Sequence, residues 1–131
     1  MTCTNVKYIR AVYSDNSTSF AGERLDCSIR AFSVAACISY EESHQLFEKH
    51  GRQTGHATST SISTKVWQEA FPSATYVRIN PGMTLNQFVS QYKTGHYIVH
   101  VRHHALAVCD GVIYDWKPGI KRKVVSAFKL I

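Results

Sequence analysis

No stretch of this 131-residue chain is apolar for the roughly 20 residues that a membrane-spanning helix needs. The first residues also lack the charged-then-apolar pattern of a secretion signal. Four cysteines are present, at Cys3, Cys27, Cys37 and Cys109. They have neither the spacing of a zinc knuckle nor the density of a disulfide scaffold, so reduced thiols are expected. There is no internal repeat, linker or low-complexity run. These absences point to one domain over residues 1–131, in the cytoplasm and without a membrane partner.

Acidic residues are also scarce, nine against fifteen Lys and Arg, for a formal net charge of +6. Five of the basic residues (Lys117, Lys121, Arg122, Lys123 and Lys129) crowd the last fifteen positions. The charge admits a nucleic-acid partner. No aromatic residues interleave the cluster as a stacking platform requires, however, and a solvated edge strand guarded by lysines is the simpler reading.

What the sequence does contain is organised around His103–Trp116, HHALAVCDGVIYDW. Asp110-Gly111 suits the left-handed backbone of a two-residue hairpin turn. A turn there pairs Cys109 with Val112, Val108 with Ile113, Ala107 with Tyr114 and Leu106 with Asp115. Side chains alternate along a strand. Ala105, Ala107, Cys109, Val112, Tyr114 and Trp116 therefore form one apolar face, read as core. His104, Leu106, Val108, Ile113 and Asp115 share the other. His104 and Asp115 are diagonal neighbours at its open end. A register slip of one residue would exchange His103 and His104. Asp110 is explained by turn chemistry.

Elsewhere, Val6–Tyr13 reads as a strand and Ser14–Ser19 as a polar loop. The periodicity from Cys27 predicts a helix with Ile29, Phe32 and Ala36 on one face and Asp26 as N-cap. Ser39–Glu42 has the capping-box pattern and opens a second helix that ends at Gly51. Arg52–Ser61 reads as a polar loop, either a border of a cleft or a plain connection, followed by a helix at about Thr64–Phe71. Thr75–Ile79 is expected to be a strand. Thr84–Gln87 is a second capping box opening a helix to about Tyr92, with Gly95 as its C-terminal cap. His96–Arg102 and Val124–Leu130 are further strands. Helices followed by strands at short turns favour an α+β domain, its helices on one side of an antiparallel sheet.

A histidine oriented by a carboxylate is half of a nucleophilic site. Cys27 supplies the other half, because a helix N-terminus and a nearby imidazolium both favour thiolate. Cys37 and Cys109 read as small buried residues. His100, His103 and His104 with Cys109 offer metal-ligand types but match no metal-site spacing. His44, His50 and His56 read as surface or loop residues.

DCSIRAF around Cys27, HALAV around His104 and GVIYDW around Asp115 together resemble the papain-like cysteine peptidase superfamily. The resemblance is greatest to its compact members, such as bacteriocin-leader peptidases and small phage-encoded papain-like proteins. It covers roughly Arg24–Trp116 and implies a papain-like fold with Cys27 as nucleophile, His104 as base and Asp115 orienting it. It also implies a peptide or protein substrate and no cofactor. The chain departs from the family in lacking a Gln ahead of the cysteine. Phe20–Asp26 holds neither Gln nor Asn, which leaves the Cys27 amide, with Asn16 or Ser19 from the preceding loop, as oxyanion donors.

Two functions of different classes therefore stand open. One is a cysteine-dependent peptidase or amide/isopeptide hydrolase acting through a thioester. The other is a papain-like binding module, such as a phage protein that engages a host factor in the host cytoplasm.

Overall fold

The computed structural model describes residues 25–115 and 122–131. The expected strand Val6–Tyr13, the loop Ser14–Ser19 with Asn16 and Ser19, and the residues Cys3 and Trp116 lie outside the described residues. The order of elements is α1 (Cys27–Ala36), α2 (Tyr40–Lys49), α3 (Thr60–Ala70), β1 (Thr75–Val77), α4 (Leu85–Gln91), β2 (His96–Val101), β3 (His104–Cys109), β4 (Val112–Tyr114) and β5 (Val124–Lys129). The strands form one sheet in the order β1-β5-β2-β3-β4, and every neighbouring pair is antiparallel. The architecture is α+β.

The β3–β4 ladder pairs Cys109 with Val112, Val108 with Ile113 and Ala107 with Tyr114, the register that the Asp-Gly turn predicts. Asp110 and Gly111 both have positive φ, 49° and 79°, as a primed two-residue turn requires. Pairing stops there. Leu106 and Asp115 are not partners in the ladder, so β3 runs three residues past the end of β4.

The sheet is covered on both faces, unlike the expected one-sided packing. On one face Ala105, Ala107, Cys109 and Ile98 pack with Ile29, Phe32 and Ala35 of α1, Phe47 of α2 and Trp67 of α3. On the other, Leu106, Val108, Tyr97 and Val99 pack with Leu85 and Phe88 of α4. Both faces of the central strands are thus apolar, which explains why β2 is almost wholly buried.

α1 is the central helix. Every residue from Ser28 to Ala36 is buried, the condition of a helix packed all round. Its polar side chains are satisfied locally. Arg30 Nε donates to Asp26 Oδ2 at 3.1 Å, and Ser33 Oγ donates to the Arg30 carbonyl at 2.7 Å. Ser43 of α2 donates to the Ile29 carbonyl at 2.8 Å.

Several local expectations are corrected. Asp26 occupies the N-cap position but makes no side-chain cap bond; its carboxylate is taken by Arg30 and by the Tyr40 hydroxyl at 2.8 Å. α3 starts at Thr60 rather than Thr64, because Ser59 Oγ accepts the Ile62 amide and caps it. His44, expected at the surface, is buried with its ring 5.9 Å from Tyr40. β1 ends at Val77.

Gly95 is not a helix cap, since α4 closes at Tyr92. It is instead the point where the start of β2 meets the hairpin turn. Its amide donates to Asp110 Oδ1 at 2.9 Å, and its carbonyl accepts the Asp110 amide at 2.8 Å. A Cβ there would lie 2.9 Å from the Ile131 carbonyl oxygen and 2.9 Å from Lys129 Cε, on a backbone with φ +98°. At Gly51, also at positive φ, a Cβ would meet nothing within 4 Å. Gly95→Ala is therefore expected to lose about 1–3 kcal/mol from backbone strain and a further increment from crowding. Gly51→Ala should lose only the strain. Urea unfolding midpoints at constant m-value would measure both, and equal losses would remove the role given to Gly95.

Candidate active site

Three chain segments meet where β3 outruns β4: the first turn of α1, the start of β3, and Asp115 just past β4. The alternation of backbone bonds explains why that edge is open. His96 N–H bonds to the Ile131 carbonyl, so even-numbered residues of β2 aim their amides toward β5 and odd-numbered ones toward β3. In the β2–β3 register, His104 and Leu106 then bond to β2, while the Ala105 amide points the other way, to the side where β4 has ended. That amide is occupied by Cys27, whose sulfur accepts hydrogen bonds from the backbone of Ala105 and of Ser28 and shares a side-chain hydrogen bond with His104.

The imidazole of His104 is held from both ends. Nε2 lies 2.8 Å from Asp115 Oδ1, which leaves Nδ1 as the nitrogen available to Cys27. Asp115 is itself fixed: its side chain is 3% exposed and Arg122 Nη2 donates to Oδ2 at 2.7 Å. Each carboxylate oxygen has a cationic or N–H partner, so the carboxylate is clamped against rotation. His103 is excluded from the site. It occupies the β2–β3 turn at φ +59°, exposed, with Arg102 Nε 3.4 Å from its Nε2.

Electrostatics couple the pair. Burial by itself would raise the pKa of the Cys27 thiol. The His104 hydrogen bond, the Ala105 amide, the charge on His104 and the Ser28 amide outweigh it, and the thiol lies below its ordinary 9.0. For His104, burial would lower the pKa. The bonds to Asp115 and Cys27 and their negative charges overcome this and raise it from 6.5 to about 9. At neutral pH His104 is therefore protonated, and each charge favours the other.

A second Cys-His-Asp trio lies at the other end of α1. Cys37 Sγ is 4.0 Å from His96 Nδ1, and His96 Nε2 is 3.8 Å from Asp110 Oδ2. The chemistry differs. His96 Nδ1 donates to the Ala35 carbonyl at 2.9 Å, and Cys37 is the left-handed C-cap of α1. The dipole there disfavours a thiolate. This trio ties the helix end to the sheet.

Arg122 was not singled out from sequence, where it counted as one member of a basic surface cluster. The available signal was that it is the sole arginine among five basic residues, and a guanidinium suits a carboxylate clamp better than an ammonium. His100, read from sequence as a metal-ligand type, borders the site. It stands opposite Ala105 in the ladder, and burial and the charge on His104 lower its pKa, so it is neutral when His104 is charged. Among the described residues, no group of three or more His, Cys, Asp or Glu could hold a metal ion, and no helix is long and apolar enough to cross a membrane.

Compared with known proteins, the chain matches no family model, no curated protein and no solved structure.

The clamp makes a spectroscopic prediction. Asp115→Asn removes the negative charge that holds the proton on His104, so its NMR titration midpoint is expected to fall from about 9 toward the ordinary 6.5. A midpoint that stays near 9 would mean that Asp115 does not hold the proton.

Proposed function

We propose that the protein is a cysteine-dependent peptidase or amide/isopeptide hydrolase on a papain-like α+β scaffold, with Cys27, His104 and Asp115 as its triad. The observation that carries this reading is the hydrogen bond shared by Cys27, at the N-terminus of a buried helix, and His104, whose far nitrogen is held by a buried carboxylate. In the proposed reaction the Cys27 thiolate attacks a carbonyl carbon. A C–S bond forms and the C=O π electrons move to oxygen. As the tetrahedral species collapses, the C–N bond breaks and the leaving amine takes the proton of His104. Water then adds to the thioester carbonyl, giving its proton to the neutral imidazole, and the thiolate departs. Asp115 keeps the ring oriented and stabilises its charged form. No cofactor enters the scheme, and the substrate class is a peptide or protein.

A papain-like binding module is the other reading, favoured by the absence of Gln or Asn from Phe20–Asp26. It would hold a partner without needing thiolate chemistry. The basic C-terminal stretch is less available for nucleic acid than its count suggests, since Arg122 is committed to Asp115.

Alkylation by iodoacetamide at pH 6, followed by mass spectrometry, separates the readings. An ordinary thiol of pKa about 8.5 is only about 0.3% ionised there. Cys27 is expected to react at least about tenfold faster than Cys37. His104→Ala should abolish the advantage, since burial would then raise the thiol pKa with less to oppose it. Equal reactivity of Cys27 and Cys37 would sink the hydrolase reading.

A further inference from the structure

The Asp115 carboxylate touches two groups that different parts of the chain supply. Its Oδ1 lies 2.8 Å from His104 Nε2, and its Oδ2 accepts from Arg122 Nη2 at 2.7 Å. The first contact alone would leave the plane of the carboxylate undetermined. Asp115 stands one residue past β4, outside the β3–β4 ladder. The terminal torsions of Asp and His side chains are broad rather than sharply staggered. An imidazole tethered to a carboxylate that can turn is itself able to turn. Arg122, by contrast, is tied down through its backbone. Its carbonyl accepts the amide of Leu85, the first residue of α4, at 2.8 Å, and the next-but-one amide, of Val124, donates to the Met83 carbonyl at 2.8 Å. Between them Thr84 and Lys123 form an antiparallel bridge. Met83 and Leu85 are buried in the core that includes α4.

A run of printed contacts therefore leads from the start of α4, through Arg122 and Asp115, to His104 and Cys27. We propose that Arg122 is a positioning residue of this hydrolase. By fixing the plane of the Asp115 carboxylate it aims His104 Nδ1 at Cys27 and, in the acyl-enzyme, at the attacking water. This rests on the hydrolase reading above and adds a fourth member to its triad. Arg122 itself exchanges no proton and touches no reacting atom. In deacylation, water adds to the thioester carbonyl and its proton passes to His104 Nδ1. The C–S bond then breaks and the Cys27 thiolate leaves. That step depends most on where Nδ1 points, because the proton moves as the new C–O bond forms.

With p-nitrophenyl acetate and the full chain, deacylation is read as the steady release of p-nitrophenolate that follows the acylation burst. Arg122→Met keeps an apolar stem and removes the donor. It is expected to slow deacylation by about 10²-fold, the cost of a small misplacement of a reacting group. Arg122→Lys keeps a cationic donor and should recover part of that loss. A double-mutant cycle identifies the route. In an Asp115→Asn background the carboxylate is already gone, so Arg122→Met should cost almost nothing further. A residue that only supported the fold would give losses that multiply. The NMR titration of His104, which Asp115, Cys27 and His100 also face, supplies a second measurement. Charge alone predicts that losing a cation beside Asp115 raises the midpoint above about 9. Loss of the carboxylate's orientation lowers it, and a fall is expected in Arg122→Met. The proposal is overturned if deacylation in Arg122→Met matches the wild type, if the two losses multiply, if Arg122→Lys is no faster than Arg122→Met, or if the midpoint holds or rises. A wild type whose Cys27 alkylates rapidly at pH 6 but which releases no p-nitrophenolate overturns it as well. Slow alkylation of Cys27 in the wild type is a different failure: it removes the hydrolase reading and this inference with it.

Discussion

The Asp110-Gly111 turn is the constraint on which the rest of the molecule depends. Its two positive-φ residues fix the β3–β4 register, and with a side-chain period of two a slip of one residue would turn every side chain of β4 over. In the register adopted, Ala107 and Cys109 face the central helix while Leu106 and Val108 face α4. A slip would move Ile113 and Tyr114 each into the other's layer. The turn is held from outside too, because the Asp110 carboxylate and amide both bond Gly95 at the start of β2. One dipeptide thus fixes the β3–β4 register and ties it to the start of β2. A strand that ends at Tyr114 leaves the Ala105 amide without a sheet partner, and the Cys27 sulfur takes that place.

The central helix then decides which end of the sheet carries chemistry. Cysteine, histidine and aspartate come together at both ends of α1, so residue types alone do not distinguish them. Helix polarity does. At the N-terminus, free amides and the dipole favour negative sulfur, and the imidazole has a nitrogen to spare. At the C-terminus, the Ala35 carbonyl claims the imidazole nitrogen nearest Cys37, and the helix end opposes charge on that sulfur. Asp26 fits the same logic. A carboxylate one residue before the nucleophile would repel a thiolate. Pairing with Arg30 and Tyr40 both satisfies it and removes it from the cap, leaving the first amides of the helix to the sulfur.

What the sequence made legible was local and periodic: the turn and its pairing, the Ser39 N-cap, the capping box at Thr84, the start of α1, and the meeting of His104 with Asp115. These depend on residues within a few positions of one another, or across one short hairpin. What was not legible depended on side-chain competition or on distant packing. Asp26 has a good capping residue type, but a buried guanidinium four residues on outbid the backbone. Leu85 and Phe88 looked like one more helix for the same side of the sheet. That they cover the opposite face goes with the Leu85 amide bonding to the Arg122 carbonyl and the Val124 amide bonding to the Met83 carbonyl, contacts without a sequence pattern. Arg122, tied to α4 through that carbonyl, also donates to Asp115, so a residue counted as surface charge is part of the site.

Placing three imidazoles near one another on the β2–β3 hairpin creates an electrostatic problem that the fold resolves by environment. His103 is exposed in the turn. His104 has a carboxylate on one side and a thiol on the other, and it takes the proton. His100 has neither, is buried against Trp67, and is kept neutral by the charge on its neighbour. Arg122 completes the arrangement. Its Nη2 donates to Asp115 Oδ2 at 2.7 Å while His104 Nε2 lies against Oδ1, so both carboxylate oxygens are held. Two imidazoles four residues apart thus shift in opposite directions, His100 down and His104 up. The division follows from which of them the end of β4 leaves in reach of Asp115.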